Sequence, residues 1–192
     1  LIARFLEAVF HSRKKDKARK VFLGGNIRTS VLDFIDKATK NDVVVLELSS
    51  FQLDDITTDS WNMSIAARKS PHIAVLTNIM RDHLNWHGSM TRYISAKSVI
   101  FAFQNSNDVL FANDSDATVK KISNRAKSRV IFPHLPAGLK PLVDRNLGIH
   151  YRASTALAVG VARHFGAALS LIKSVLAVTC GLPGRQEIIA VM

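Results

Sequence analysis

The sequence holds one cysteine, Cys180, in 192 residues, so no intrachain disulfide framework is possible, and nowhere do Cys and His gather at zinc-finger spacing. A reducing, cytosolic setting is expected. Apolar runs such as Val43-Val44-Val45-Leu46 and Ile73-Ala74-Val75-Leu76 fall far short of the ~20 residues that cross a bilayer, which excludes a helical membrane span. Repeats and low-complexity tracts are missing. So is an initiating Met, and the opening Leu1-Ile2-Ala3-Arg4-Phe5-Leu6-Glu7-Ala8-Val9 has no cleavage site after a hydrophobic stretch. It reads as a helix already under way, in a chain expected to come from within a longer gene product.

Acid is also scarce. There are 15 Asp+Glu against 26 Lys+Arg, a formal charge of +11. The excess base concentrates at His11–Lys20 and again from Lys120 to Arg129, and such runs could hold phosphate backbones. Neither run interleaves aromatics that stack on bases, and no nucleic-acid motif accompanies them. They read as solvated helix ends and loops, with no nucleic-acid partner expected. What the chain does have is an apolar fraction of 47%, too high for a disordered polymer and sufficient for the core of one domain.

Short β-branched runs alternate with amphipathic stretches, the pattern of an α/β fold: a doubly wound, mostly parallel sheet with helices on both faces. The spacing predicts helices at 1–11, 30–38, 61–68, 89–103, 115–126, 151–165 and 168–179, the last stopping at Gly181-Leu182-Pro183-Gly184. Strands are predicted at 20–24, 42–48, 72–78, 108–112 and 129–132. The near-continuous apolar run of 42–48 predicts a central strand buried on both faces. Polar, irregular chain is expected from Ser49 to Asp59. The Pro- and Gly-punctuated stretch 133–148 is expected to be a loop. Asn113, Asp114 and Ser115 offer N-caps to the helix that follows.

In such sheets ligands collect beyond the carboxyl ends of the strands. Two strands end in polar residues there: one at Glu47-Leu48-Ser49-Ser50, the other at Thr77-Asn78, shortly before Asp82 and His83. Glu47 would need a partner if buried, and a cation in the crevice or a basic side chain at the sheet edge would each serve. Taken alone, His83 and Lys97 are a loop imidazole and a helical lysine.

Read in order, Gly24-Gly25-Asn26-Ile27, Leu46-Glu47-Leu48-Ser49-Ser50-Phe51-Gln52-Leu53, Asn78-Ile79-Met80-Arg81-Asp82-His83-Leu84, Tyr93-Ile94-Ser95-Ala96-Lys97 and Gly181-Leu182-Pro183-Gly184-Arg185-Gln186-Glu187 resemble the central, ATP-binding domain of the Mur ligases. The run from Glu47 to Leu53 is most similar to the D-glutamate-adding branch. The resemblance spans nearly the whole chain, 1–192. It implies a monomeric cytoplasmic enzyme of peptidoglycan precursor synthesis, in which ATP phosphorylates the carboxylate of UDP-N-acetylmuramoyl-L-alanine and the amine of D-glutamate attacks the acyl phosphate.

By the same resemblance, Glu47 and His83 are magnesium ligands and Lys97 is a carbamylated lysine that joins them, with Lys97 and His83 at the catalytic centre. Asn26, Ser49 and Gln52 match substrate-side positions, and His150 and Arg185 match nucleotide-side positions. The phosphate-gripping loop expected before Leu1 is not in the sequence, and neither are the flanking uridine-binding and C-terminal domains, so the chain alone is expected to be inactive. Arg28 stands where relatives carry glycine, and His150-Tyr151-Arg152-Ala153-Ser154 replaces a His-Asn-x-x-Asn segment. The alternatives are another Mur or folylpolyglutamate-type ligase, or a degenerate, non-catalytic nucleotide- or nucleic-acid-binding module.

Overall fold

The computed structural model describes residues 1–27, 29–56 and 69–180, and these divide into two compact units. The helix expected at 61–68, Arg28, Arg185 and the Gly181–Gly184 stop lie outside the described residues.

The first unit comprises Leu1–Phe22, Ala38–Val45 and the chain from Pro133 onward. Helix α1 (Ile2–Ser12) buries Ala3, Phe5, Leu6, Val9 and Phe10, positions three and four apart that form one apolar stripe. That stripe packs on α7 (Arg152–His164) and α8 (Leu169–Ala177), where Ala158, Val159, Ala162, Ile172 and Leu176 complete the core. The turn between α7 and α8 passes through Gly166 at φ 80°, and the Arg13 guanidinium donates to the Gly166 carbonyl at 2.7 Å.

The stretch 133–148 is not the expected loop. It forms a 3-10 turn (Ala137–Leu139) and a helix, α6 (Lys140–Asn146), that buries Val143. Pro141 sits in the first turn of α6, where a missing N–H breaks no helical bond. The Asn146 side chain donates to the carbonyls of Leu176 and Ala177 at 2.9 and 3.2 Å, satisfying acceptors left over at the end of α8.

Strands β1 (Val21–Gly25) and β2 (Val43–Glu47) pair with each other. Lys20 meets Val43 at one end, through an N–H···O bond of 2.9 Å, and Asn26 meets Glu47 at the other, at 2.8 Å, so the two run parallel. The expectation of a central strand buried on both faces fails for β2. Val21, Val43 and Val45 face the first unit's core, whereas Leu23, Val44 and Leu46 are 46%, 38% and 39% exposed. Among the described residues β1 is its one paired neighbour, and an unbroken apolar run alternates between covered and uncovered faces when only one face is packed.

The second unit comprises Leu23–Lys37 and Leu46–Phe132. Its three-stranded parallel sheet has the order β3 (Ile73–Leu76), β4 (Val109–Ala112), β5 (Arg129–Ile131). Ile73 is in register with Val109 and Leu76 with Ala112, and Val109 with Arg129 on the far side. Every residue of β4 is buried. Crossovers run through α4 (Met90–Ala102) and α5 (Ala117–Ser123), and Tyr93, Phe101, Val119 and Ile122 pack on Ala74, Leu76, Leu110 and Ala112. The structure is thus the expected α/β class with parallel strands joined by helices.

Three local expectations change in this unit. The helix expected at 30–38 is a pair of 3-10 turns, Val31–Asp33 and Ile35–Lys37. The N-cap of α5 is Asp116 rather than Asn113, Asp114 or Ser115; its carboxylate accepts the N–H groups of Thr118 and Val119 at 2.9 and 3.0 Å. The supposedly irregular chain after Ser49 begins with a helix, α2 (Ser50–Asp55). A further single turn, α3 (Leu84–His87), precedes α4.

Candidate functional site

The site residues of the second unit sit where β2 runs into α2 and where the loop after β3 runs into α3 and α4. Glu47 is the last residue of β2, exposed, and its carbonyl accepts the Asn26 N–H at 2.8 Å. No described residue places a cation at ion-pair distance from its carboxylate. Asn26 is therefore beside Glu47 through the backbone, with its own side chain exposed. That approach depends on Gly25, which has φ 101° and whose Cβ, were there one, would lie 2.1 Å from the Glu47 carbonyl oxygen.

Ser49 and Gln52 form a capping box. The Ser49 hydroxyl accepts the Gln52 N–H at 3.2 Å and the Gln52 side-chain oxygen accepts the Ser49 N–H at 2.9 Å. This reciprocal pair satisfies orphan donors at the start of α2 and fixes where the chain turns after Glu47. The S-x-x-Q spacing is that of a helix start, where polar, irregular chain was expected.

His83 is the N-cap of α3 and, among the described residues, the one non-glycine with positive φ, at 54°. Left-handed backbone is disfavoured for a residue with a Cβ, and such strain gathers at functional positions. Its N–H donates to Asp82 Oδ1 at 2.8 Å, and its Nε2 lies 3.4 Å from Asp82 Oδ2. The ring stands 4.9 Å from Phe51 of α2 and 6.4 Å from Tyr93 of α4. Lys97, one turn beyond Tyr93, holds its Nζ 5.6 Å from the centre of the same Tyr93 ring. His83 and Lys97 thus share Tyr93, whereas the contacts of Glu47 run through its carbonyl to Asn26. Burial, and then the charge of Asp82, raises the Tyr93 phenol above its ordinary pKa, so it is a neutral hydroxyl in any reaction near neutrality.

The sequence reading passed over the aromatic framework of Phe51, Trp86, His87 and Tyr93. His87 is 2% exposed and closes the single turn that His83 caps. His150, expected on the nucleotide side, belongs to the first unit, exposed on the 3-10 turn Ile149–Tyr151. Two residues on, the Arg152 guanidinium is bound to Asp144 through both of its carboxylate oxygens. Among the described residues no group of three His, Cys, Asp or Glu is arranged to hold a metal.

The family description "Mur ligase middle domain" matches residues 7–153. The chain belongs to that family. Among curated relatives, the UDP-N-acetylmuramoylalanine–D-glutamate ligase of Acetivibrio thermocellus is 37% identical over 124 residues, covering 65% of this chain and 24% of the relative. The ligase of the same name from Nitratidesulfovibrio vulgaris is 33% identical over 171 residues, covering 88% and 36%. The chain therefore spans about a quarter to a third of the length of these Mur ligases. MurF from Acinetobacter baumannii has the same fold, with a TM-score of 0.61 at 16% identity over 96% of this chain and 44% of that one. No helix among the described residues is long and apolar enough to cross a membrane.

Proposed function

We propose that this chain is the central-domain portion of a cytoplasmic, ATP-dependent ligase that adds D-glutamate to UDP-N-acetylmuramoyl-L-alanine in peptidoglycan precursor synthesis. The observation that carries the reading is the grouping of His83 and Lys97 on Tyr93, in a Mur ligase middle domain with relatives named as D-glutamate ligases.

The residues fit magnesium in part. The exposed Glu47 carboxylate is a hard oxygen donor and His83 adds a nitrogen, which leaves further positions to water and phosphate oxygens, the usual arrangement for this ion. The Lys97 ammonium would repel a cation. As a carbamate, formed when its neutral amine adds to carbon dioxide and releases a proton, Lys97 would present oxygen instead. Magnesium bound there would offset the charge of the polyphosphate and of the acceptor carboxylate.

In the reaction, a carboxylate oxygen of UDP-N-acetylmuramoyl-L-alanine bonds to the γ-phosphorus of ATP as the bond to ADP breaks. The D-glutamate amine then attacks the acyl carbon, phosphate leaves, and the nitrogen gives up a proton to yield the amide. In this chain Glu47, His83 and Lys97 would hold the magnesium that offsets the acceptor's carboxylate, and Asn26, Ser49 and Gln52 line the acceptor's approach. A chimera in which this chain replaces the aligned segment of the Nitratidesulfovibrio vulgaris ligase should release ADP only with both substrates present, and Glu47→Ala should abolish it. A folded chimera equally active with Glu47→Ala, or with another amino acid in place of D-glutamate, would defeat the assignment. A weakened nucleotide side is a second reading, favoured by the commitment of Arg152 to Asp144 in the segment that His150 opens.

A further inference from the structure

We infer that His87 is a positioning residue: it clamps the start of α2 against α3 and α4, and so sets the place of the His83 ring. This rests on the metal-side reading of Glu47, His83 and Lys97 for its functional meaning, and on the geometry alone for the clamp.

His87 Nε2 lies 3.0 Å from the Ser50 hydroxyl, and its Nδ1 lies 3.9 Å from Asp54 Oδ2. The order Ser, His, Asp is that of a nucleophilic triad. Burial argues against that use, because Ser50 and His87 are each only 2% exposed and no substrate carbonyl could reach the hydroxyl. Nor is 3.9 Å a hydrogen bond. What the carboxylate does is favour the proton on Nδ1, leaving Nε2 to accept from the Ser50 O–H. The Ser50 hydroxyl and His87 Nε2 then satisfy each other inside an apolar setting, where losing one partner leaves the other with the full desolvation penalty.

The ring faces of His87 are used as well. It stacks on Phe51 with centroids 5.6 Å apart and planes 19° from parallel, and it tilts against Tyr93 at 5.3 Å. These are the two rings that flank His83. A one-turn helix such as α3 is not stable by itself, so the burial of its last residue anchors it. Ser50 is the first residue of α2, and the same bond that anchors α3 therefore also fixes the chain that leaves Glu47. One buried imidazole in this way holds the segments that carry Glu47 and His83, two of the three metal-side residues.

The test compares the chain with His87→Leu, His87→Gln, Ser50→Ala and, as a control elsewhere in the same core, Ile122→Val. The readouts are the Cε1–H signal of the His83 imidazole and the ring-nitrogen shifts of His87, followed by magnesium titration. Gln can offer its amide to Ser50; Leu fills space without bonding. His87→Leu and Ser50→Ala should displace the His83 signal, His87→Gln should restore most of it, and Ile122→Val should leave it in place. Ser50→Ala should also move the His87 nitrogen shifts. Magnesium affinity should fall about 10-fold in His87→Leu, as it does when groups supporting a ligand are removed, and recover in His87→Gln. An unmoved His83 signal in both His87→Leu and Ser50→Ala, or an equal displacement in Ile122→Val, would overturn the clamp; if His87→Leu fails to fold, Ser50→Ala decides. A wild-type chain that binds no magnesium would remove the metal reading, and the His83 signal would still decide the clamp.

Discussion

The carbonyl oxygen of Glu47 is held by the Asn26 N–H at 2.8 Å, in space that exists because Gly25 has no Cβ. Gly25→Ala should therefore act on Glu47 directly. The added carbon would stand 2.1 Å from that oxygen, and φ of 101° is outside the range an alanine adopts without strain. The strands must part at the end of β2, at a loss of about 2 kcal/mol or more. Urea unfolding should show that loss, and the Asn26 amide should exchange with solvent faster than in the wild type. Unchanged Asn26 protection would mean that the glycine is not what permits the contact.

Asp116 joins two segments of the second unit. Besides capping α5, its Oδ2 accepts the N–H of Ile79, a buried residue just after β3, at 2.8 Å. Asp116→Ala removes the cap and leaves the Ile79 N–H unsatisfied, so its effect should exceed the ~1 kcal/mol typical of a lost cap. Asp116→Asn keeps one acceptor oxygen, enough for the cap or for Ile79 but not both, and should recover part of it. Amide exchange at Ile79, Thr118 and Val119 should accelerate together in the alanine variant; acceleration confined to Thr118 and Val119 would show that Asp116 serves α5 alone.

How far the fold could be read from the letters depended on whether one face or two was in question. The run through β4 is buried throughout, because α4 and α5 supply the cover. The similar run of β2 is not, since composition does not say how many neighbours a strand acquires. The helix start at Ser49 and Gln52 was written in the sequence as a capping box, and the polar residues that drew attention as a crevice rim obscured it. Pro141 was taken for a loop marker when its position in a first helical turn suits proline well. At the site, His83 and Lys97 could be proposed from their motifs, whereas His87 and Ser50 could not: a buried imidazole and its hydroxyl partner come from elements 37 residues apart, and only their 3.0 Å contact reveals the pair.

Stability of the second unit should depend on Asp108 in acid. Its carboxyl is held below the ordinary pKa by the Asn105 N–H at 2.8 Å, with His72 adding to the effect. A carboxyl lowered on folding stabilises fully above its unfolded value, near 3.8, and that contribution is lost as pH falls through the lower folded value. The unfolding midpoint should drop below about pH 4, and Asp108→Asn should flatten that part of the profile. The opposite sign applies to Tyr93. Its raised pKa gives a contribution that is complete below its unfolded value, near 10.0, and lost as pH climbs through the folded one, so Tyr93→Phe should flatten the alkaline limb.

Lys97 offers a check on the metal-side reading that needs no turnover. As an ammonium over the Tyr93 face at 5.6 Å it gains a cation–π attraction of about 0.5–1 kcal/mol. Carbamylation removes that attraction and sets a negative group against the negative face of the ring, so the carbamate is favoured only when a cation arrives to offset it. In 13C-bicarbonate, a lysine carbamate signal should grow as magnesium is added, disappear in Lys97→Met, and weaken in Glu47→Ala, because Glu47 helps to hold the ion. Tyr93→Leu removes the competing attraction and should raise the carbamate fraction at low magnesium. A signal that ignores magnesium, or that survives in Lys97→Met, would detach Lys97 from the metal and leave it a helical lysine resting on an aromatic ring.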